Sequence, residues 1–184
     1  MNMIGCDDVL DQLIAGTKRI VIENISRLTK LTPFEVTASE RDVLKFFQTQ
    51  KGLLLSDNFK SMILTAVTKG THQVDEATRG HVDLTEQAHN VEIGAELPAG
   101  HVFDTVNSFL VFLAALLQAQ WLNKTSGVLI ATGHTNIFYV KVGGVVFTIR
   151  VYWNARVEVW DCYTYEPDSR QWVAGDRAFS ATDA

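Results

Sequence analysis

Two cysteines in 184 residues, Cys6 and Cys162, exclude a disulfide-stapled scaffold. Neither sits in a CxxC or other metal-ligand spacing, so zinc ribbons and dithiol redox sites are excluded too. Three prolines, with 47% hydrophobic and 20% charged residues, rule out a disordered or collagen-like chain. Basic residues are also few. Sixteen Lys and Arg against 21 Asp and Glu give a net charge of −5, which argues against sequence-independent nucleic-acid binding. The most apolar stretch, 102–122, is interrupted by Asp104, Asn107, Ser108, Gln118 and Gln120. Its unbroken part, Phe109–Leu117, falls well short of the roughly 20 residues a membrane span needs. The N-terminus lacks a secretory leader pattern, and the expected compartment is a reducing cytoplasm. No phosphate-binding glycine loop, GxSxG elbow or HExxH helix occurs.

What remains is a globular chain long enough to bury roughly 70% of its unfolded surface. Its first third reads as helical. Val9, Leu10, Leu13, Ile14, Ile20, Val21, Ile25 and Leu28 recur at steps of three and four, with Asp7 or Asp8 as cap and Thr32-Pro33 as stop. A second helix is expected from Thr37, which has capping-box spacing to Glu40, to the break at Lys51-Gly52. A third runs from Asp57 to Thr68. Residues 69–100 read as mostly loop, with one short helix over 83–91. A central helix, 101–122, is apolar nearly all round and is expected to be covered by other elements.

From Val128 the period changes to two and β-branched and aromatic residues take over. A Gly143-Gly144 turn pairs Val142 with Val145, Val140 with Phe147 and Phe138 with Ile149, all apolar and on one face. For the next hairpin, a three-residue loop over Asn154–Arg156 pairs Trp153 with Val157 and Val151 with Val159. That register sets Arg150 opposite Trp160, a cation–π pair, and Asp161 on the apolar face across from Ile149. A last turn at 167–170 returns the chain through Trp172 to Phe179. The expected fold is a single α+β domain over 1–184, with N-terminal helices (1–70), an acidic loop (71–100) and one buried central helix (101–122). These pack on a C-terminal antiparallel β-meander of four to five strands (127–181).

Residues 72–104 hold seven acids against Arg79 alone, so this segment accounts for the whole negative excess; four of the five histidines also lie in it. His81, Glu86, His89, His101 and Asp104 supply the mixed nitrogen and oxygen ligands that suit a divalent metal such as zinc, manganese or iron. That reading, a metal-dependent enzyme or metal sensor, requires the histidines to converge. The competing one is a solvated loop whose carboxylates cap helix ends. His101, Asp104 and Ser108 carry the residue types of a nucleophile–base–orienter set, but two helical turns separate the serine from the histidine. No catalytic set is therefore assigned.

Two further surfaces complete the reading. Asp161, Tyr152, Trp160 and Arg150 are the candidate ligand-binding residues; a carboxylate held on an apolar sheet face has its pKa tuned by burial. Tyr139, Tyr152, Trp160 and Val173, with Arg150 and Lys141, form an outer aromatic face suited to a protein interface or to base stacking. Residues 37–68 also fit two helices and a connection, the pattern of a helix-turn-helix DNA binder, although Leu53-Leu54-Leu55 makes the connection too apolar. The function the sequence favours is a non-catalytic binding module for a protein partner, a second copy of itself or a small apolar ligand between sheet and central helix.

Overall fold

The computed structural model describes residues 26–97, 99–121, 127–166 and 169–183. In chain order its elements are β1 (Thr32–Val36), β2 (Ser39–Arg41), α1 (Val43–Thr49) and β3 (Leu53–Leu55), then a π-helical segment (Phe59–Ile63) closed by a 3-10 turn (Leu64–Ala66). β4 (His72–Val74), β5 (Ala77–Asp83), β6 (Ala88–His89), α2 (Asn90–Glu96), β7 (Val102–Phe103) and α3 (Val106–Gln120) follow. The chain ends with β8 (Thr135–Val142), β9 (Val145–Asn154), β10 (Val159–Tyr165), β11 (Gln171–Trp172) and β12 (Arg177–Asp183).

Eight strands form one mixed sheet in the order β1-β5-β12-β8-β9-β10-β3. β7 lies beside β8 at Tyr139–Val140, on the same edge that β12 occupies at Asn136–Ile137. β8 is buried on both faces, which is why Ile137-Phe138-Tyr139-Val140 reads as an unbroken apolar run rather than an alternating one. α3 packs on one face. Thr105 caps it by accepting from the Ser108 N–H at 3.1 Å, and Phe109, Leu110, Leu113 and Leu117 are wholly buried against Phe138, Val140, Ile149 and Phe179. The Phe138 and Phe179 rings stack at 4.6 Å. On the opposite face, α2 and the β6–β11 ribbon set Ile93, Leu97, Ala88 and Trp172 on Ile137, Tyr139, Ala178 and Val82. Asn90 ties this second layer together, accepting from Trp172 Nε1 at 2.6 Å and from the Tyr139 hydroxyl at 3.3 Å.

Residues 127–134, which lead into β8, lie outside any strand, and side-chain amides take the place of a ladder. Gln120 donates to the Leu129 carbonyl and accepts its N–H, at 2.6 and 2.9 Å. Asn136 does the same for Ile130, at 3.0 and 2.8 Å, and also donates to the Val151 carbonyl. Both amides are buried, and each leaves the backbone groups it meets satisfied. Among the described residues, no helix is long and apolar enough to cross a membrane.

The architecture overturns the expected helical layer on a C-terminal meander: the sheet is mixed and recruits strands from along the whole described chain. The expected first helix lies mostly outside the described residues, but its last part does not. Leu28 bridges Leu84, and Thr32-Pro33, expected as a stop, opens β1. β1 is an edge strand, where a proline costs no ladder bond on its outer side. The expected acidic loop contains β4, β5 and α2. β5 escapes a period-two reading because its polar residues have partners in place. Asp83 faces Arg177 across the β5–β12 pair, and Gly80 lets Leu31 lie within 2.6 Å of where a Cβ would be. α1 starts at Val43 with Asp42 as cap, accepting from Lys45 N–H, rather than at Thr37, because Ser39–Arg41 pairs with β4. Leu53–Leu55 is a strand between two helices, parallel to β10, so residues 37–68 do not form a helix-turn-helix.

The Gly143-Gly144 hairpin has the expected register, both glycines at positive φ as this tight turn requires. The next hairpin does not. Asn154 pairs with Val159, leaving a four-residue loop, Ala155–Glu158, with Glu158 in the left-handed region at φ 55°. Trp153 thus faces Trp160 rather than Val157, a three-residue change of register that puts Trp160 and Cys162 on the core face beside Trp153 and Val151. The same change carries Asp161 to the other face. The return through Trp172 is not a meander either: β11 pairs with β6, and β12 inserts between β5 and β8.

Candidate functional site

The corrected register builds a composite surface on the face of β9 and β10 turned away from α3. Arg150 and Tyr152 alternate with inward Ile149, Val151 and Trp153, and across the ladder they meet Tyr163 and Asp161. The Arg150 guanidinium lies 4.5 Å from the centroid of Tyr152 and 5.5 Å from that of Tyr163. Its Nε donates to the Thr135 hydroxyl at 3.5 Å. One step along the strand, Arg170 sits 4.9 Å from both Tyr165 and Trp172 and donates to the Tyr165 hydroxyl at 2.6 Å. Two arginines are thus held over four aromatic rings, a cation–π arrangement that restrains long side chains before anything binds. Tyr152 and Tyr163 are half-buried and belong to neither hydrophobic cluster of the core.

Asp161 lies in the same surface and is 5% exposed. Asn154 Nδ2 donates to its Oδ2 at 3.1 Å, whereas Oδ1 is buried with no hydrogen-bond partner. A buried carboxylate oxygen left without a donor is costly. Its parallel neighbour on β3, Leu54, is 50% exposed on the same face. Beneath, burial pushes the Cys162 thiol pKa far up and the Asp161 charge adds to it, so Cys162 is an inert core residue.

Of the four residues expected to bind ligand, Arg150, Tyr152 and Asp161 are brought together. Trp160 is not: it is buried on the α3 face, 5.4 Å from Trp153. Arg150 accordingly pairs with Tyr163 instead of Trp160, and Asp161 lies across from Tyr152 while Ile149 faces Thr164. Tyr139, expected on an exposed aromatic face, is buried with His101 edge-on at 5.4 Å. Tyr163 and Arg170 were not singled out by the sequence. The signal for Tyr163 was its two-residue step from Asp161, which is meaningful only once the hairpin loop is four residues long.

The expected metal ligands are scattered. His81 sits on the α3 face between the rings of Phe34 and Phe179, at 5.9 and 5.8 Å. Burial, reinforced by the nearby Arg177 charge and only partly opposed by Asp83, lowers its pKa to about 4. Glu86 accepts from Arg27 at 2.8 Å, His89 is exposed at the start of α2, and His101 packs on Tyr139. Asp104 lies before α3, beside a cleft on the other side of the sheet from His89. Among the described residues there is no group of three or more His, Cys, Asp or Glu placed to hold a metal ion. The nucleophile set fails on geometry as well, since Ser108 donates to the Thr105 carbonyl and both His101 and Asp104 precede the helix. The chain matches no protein-family model, no curated protein and no solved structure.

Proposed function

We propose that the protein is a non-catalytic interaction module that docks a partner protein on the arginine–tyrosine face of β9 and β10. The observation that carries this reading is the placement of Arg150, stacked on Tyr152 and Tyr163, beside a buried Asp161 oxygen that lacks a donor. Tyrosine and arginine are the residue types that dominate binding energy at interfaces, and rings or guanidinia already fixed by stacking lose little entropy when a partner arrives. Arg150, Arg170 and the exposed Lys141 make this surface cationic on a chain of net charge −5. The partner therefore presents carboxylates to the two arginines. A hot-spot position of this kind is worth about 2 kcal/mol or more on truncation.

Affinity capture with the intact chain tests the reading when run beside Arg150→Glu and Tyr163→Ala. A partner retained at stoichiometric yield by the parent and lost by both variants supports it. Identical captured sets from all three chains refute it. A second copy as the retained partner identifies the module as self-associating.

A further inference from the structure

A second site lies apart from the docking face, where β2 meets α1 and the end of α3. A cleft of about 430 Å³, within the size range of small-molecule sites, is lined there by Arg41, Phe46, Gln50, Gln118 and Trp121. All five side chains are half-buried or exposed, so the walls are open to a ligand. Phe46 stands edge-on to the buried Phe47, with ring centroids 5.2 Å apart. Trp121 lies over Gly52, where an added Cβ would come within 2.8 Å of the indole. Both rings are thus seated before anything binds.

Arg41 is the group that the fold leaves unexplained. Its guanidinium lies over the Phe46 ring, 5.3 Å from the centroid, a contact that uses the flat face of the cation and leaves the N–H donors around its edge. Its Nε is buried with no hydrogen-bond partner. Burial lowers the Arg41 pKa, and no neighbouring acid opposes that shift. Ser39, two residues back on the same side of β2, likewise has a buried hydroxyl without a partner. It lines a hollow that shares Arg41 and Gln118 with the cleft. Buried donors left unmet are costly, and an acceptor brought by a ligand would relieve that cost.

The charges and rings narrow the ligand. Among the described residues that line the cleft, Arg41 alone is charged. α1 and α3 both reach it with their C-terminal ends, at Gln50 and Trp121, where helix carbonyls carry partial negative charge. One guanidinium beside two helix C-termini suits a single negative charge and not a dianion. A neutral aromatic molecule would cover the rings but leave the guanidinium unpaired. We infer that this cleft binds a small aromatic monocarboxylate, with its carboxylate on the N–H edge of Arg41 and its ring against Phe46 and Trp121. The site shares no residue with the arginine–tyrosine face and stands or falls independently of it.

Calorimetric titration of the intact chain with 3-phenylpropanoate and indole-3-acetate tests this, with the amide of each acid and phenyl phosphate, a dianion, as comparison probes. The expected result is saturable binding of at least one acid, with its amide and the phosphate weaker by about tenfold or more. Arg41→Met should bring the acid down to the level of its amide. Gln118→Glu sets a carboxylate in the same cleft and should weaken the acid by a similar factor. Because Gln118 is exposed, that variant keeps the test sharp even where Arg41→Met destabilises the fold. Three results overturn the proposal: no saturable binding of either acid at millimolar concentration, an amide or phosphate that binds as tightly as the acid, or acid binding unchanged in either variant.

Discussion

Arg177 meets Asp83 through both carboxylate oxygens, Nε at 2.6 Å and Nη2 at 2.9 Å, while Nη1 donates to the Val128 carbonyl at 2.7 Å. One side chain therefore fastens β12 to β5 and both to the segment leading into β8. The pair is only partly screened from water, with 17% and 35% of the two side chains exposed. Removing one partner still leaves a half-buried charge without its mate. Arg177→Met is expected to cost roughly 2 kcal/mol or more, and Asp83→Asn in the same background should add less than it does alone. Denaturant unfolding of the two single variants and the double variant measures both quantities.

Acid sensitivity follows from the neighbouring histidine. In the unfolded chain His81 titrates near its ordinary 6.5; in the fold it does so at about 4. Between these values the unfolded state holds the extra proton, so stability falls as pH drops from about 6.5 to 4 and the loss is complete below that. The full loss is about 3 kcal/mol. For Asp83, burial alone would raise the pKa, but the hydrogen bonds and charge of Arg177 outweigh it and hold the carboxyl below its ordinary 3.8. Its contribution is present above that value and lost only at lower pH. His81→Phe, set between Phe34 and Phe179, is expected to flatten the stability profile between pH 6.5 and 4 while leaving the steep fall at lower pH. Melting temperatures across that range decide it. An unchanged slope between 6.5 and 4 would contradict the assignment.

The hairpin between β9 and β10 carries its own test. Glu158 is exposed and holds a φ of 55°, a conformation that costs an ordinary L-residue about 1 kcal/mol and glycine almost nothing. Glu158→Gly should raise stability by a few tenths to about 1 kcal/mol, although it removes a side chain and adds freedom to the unfolded chain. A three-residue loop ending at Arg156 places no such demand on residue 158, and Glu158→Gly would then destabilise the strand.

That hairpin also shows what the sequence could and could not convey. The Gly143-Gly144 turn named its own geometry, because paired glycines select one tight turn and the alternating apolar residues on either side agree with it. Asn154–Glu158 contains no glycine, and a three-residue loop satisfied the apolar pattern of Trp153, Val157, Val151 and Val159. The competing register buries Trp160 and Cys162 instead, and only packing against Leu55 and the rest of the α3-face core selects it. β5 was hidden for a related reason. Thr78, Arg79, His81 and Asp83 look like a loop until Glu35 and Arg177 arrive from distant segments to meet Thr78 and Asp83. Phe109–Leu117 was legible because nothing but burial suits it. The site was legible in part: Arg150 and Tyr152 are neighbours on one strand, but Tyr163 and Asp161 join them only through the register, and Arg170 only through β11.

The most direct test of the docking face is site-specific photocross-linking from position 163, with a benzophenone side chain replacing Tyr163 in the intact chain in its native cell. The account predicts one discrete adduct that disappears when Arg150→Glu is added and is absent when the same probe is placed at the exposed Thr32, on β1 at the opposite side of the sheet from β10. An adduct from 163 that survives Arg150→Glu, or no adduct from 163 at all, would contradict it.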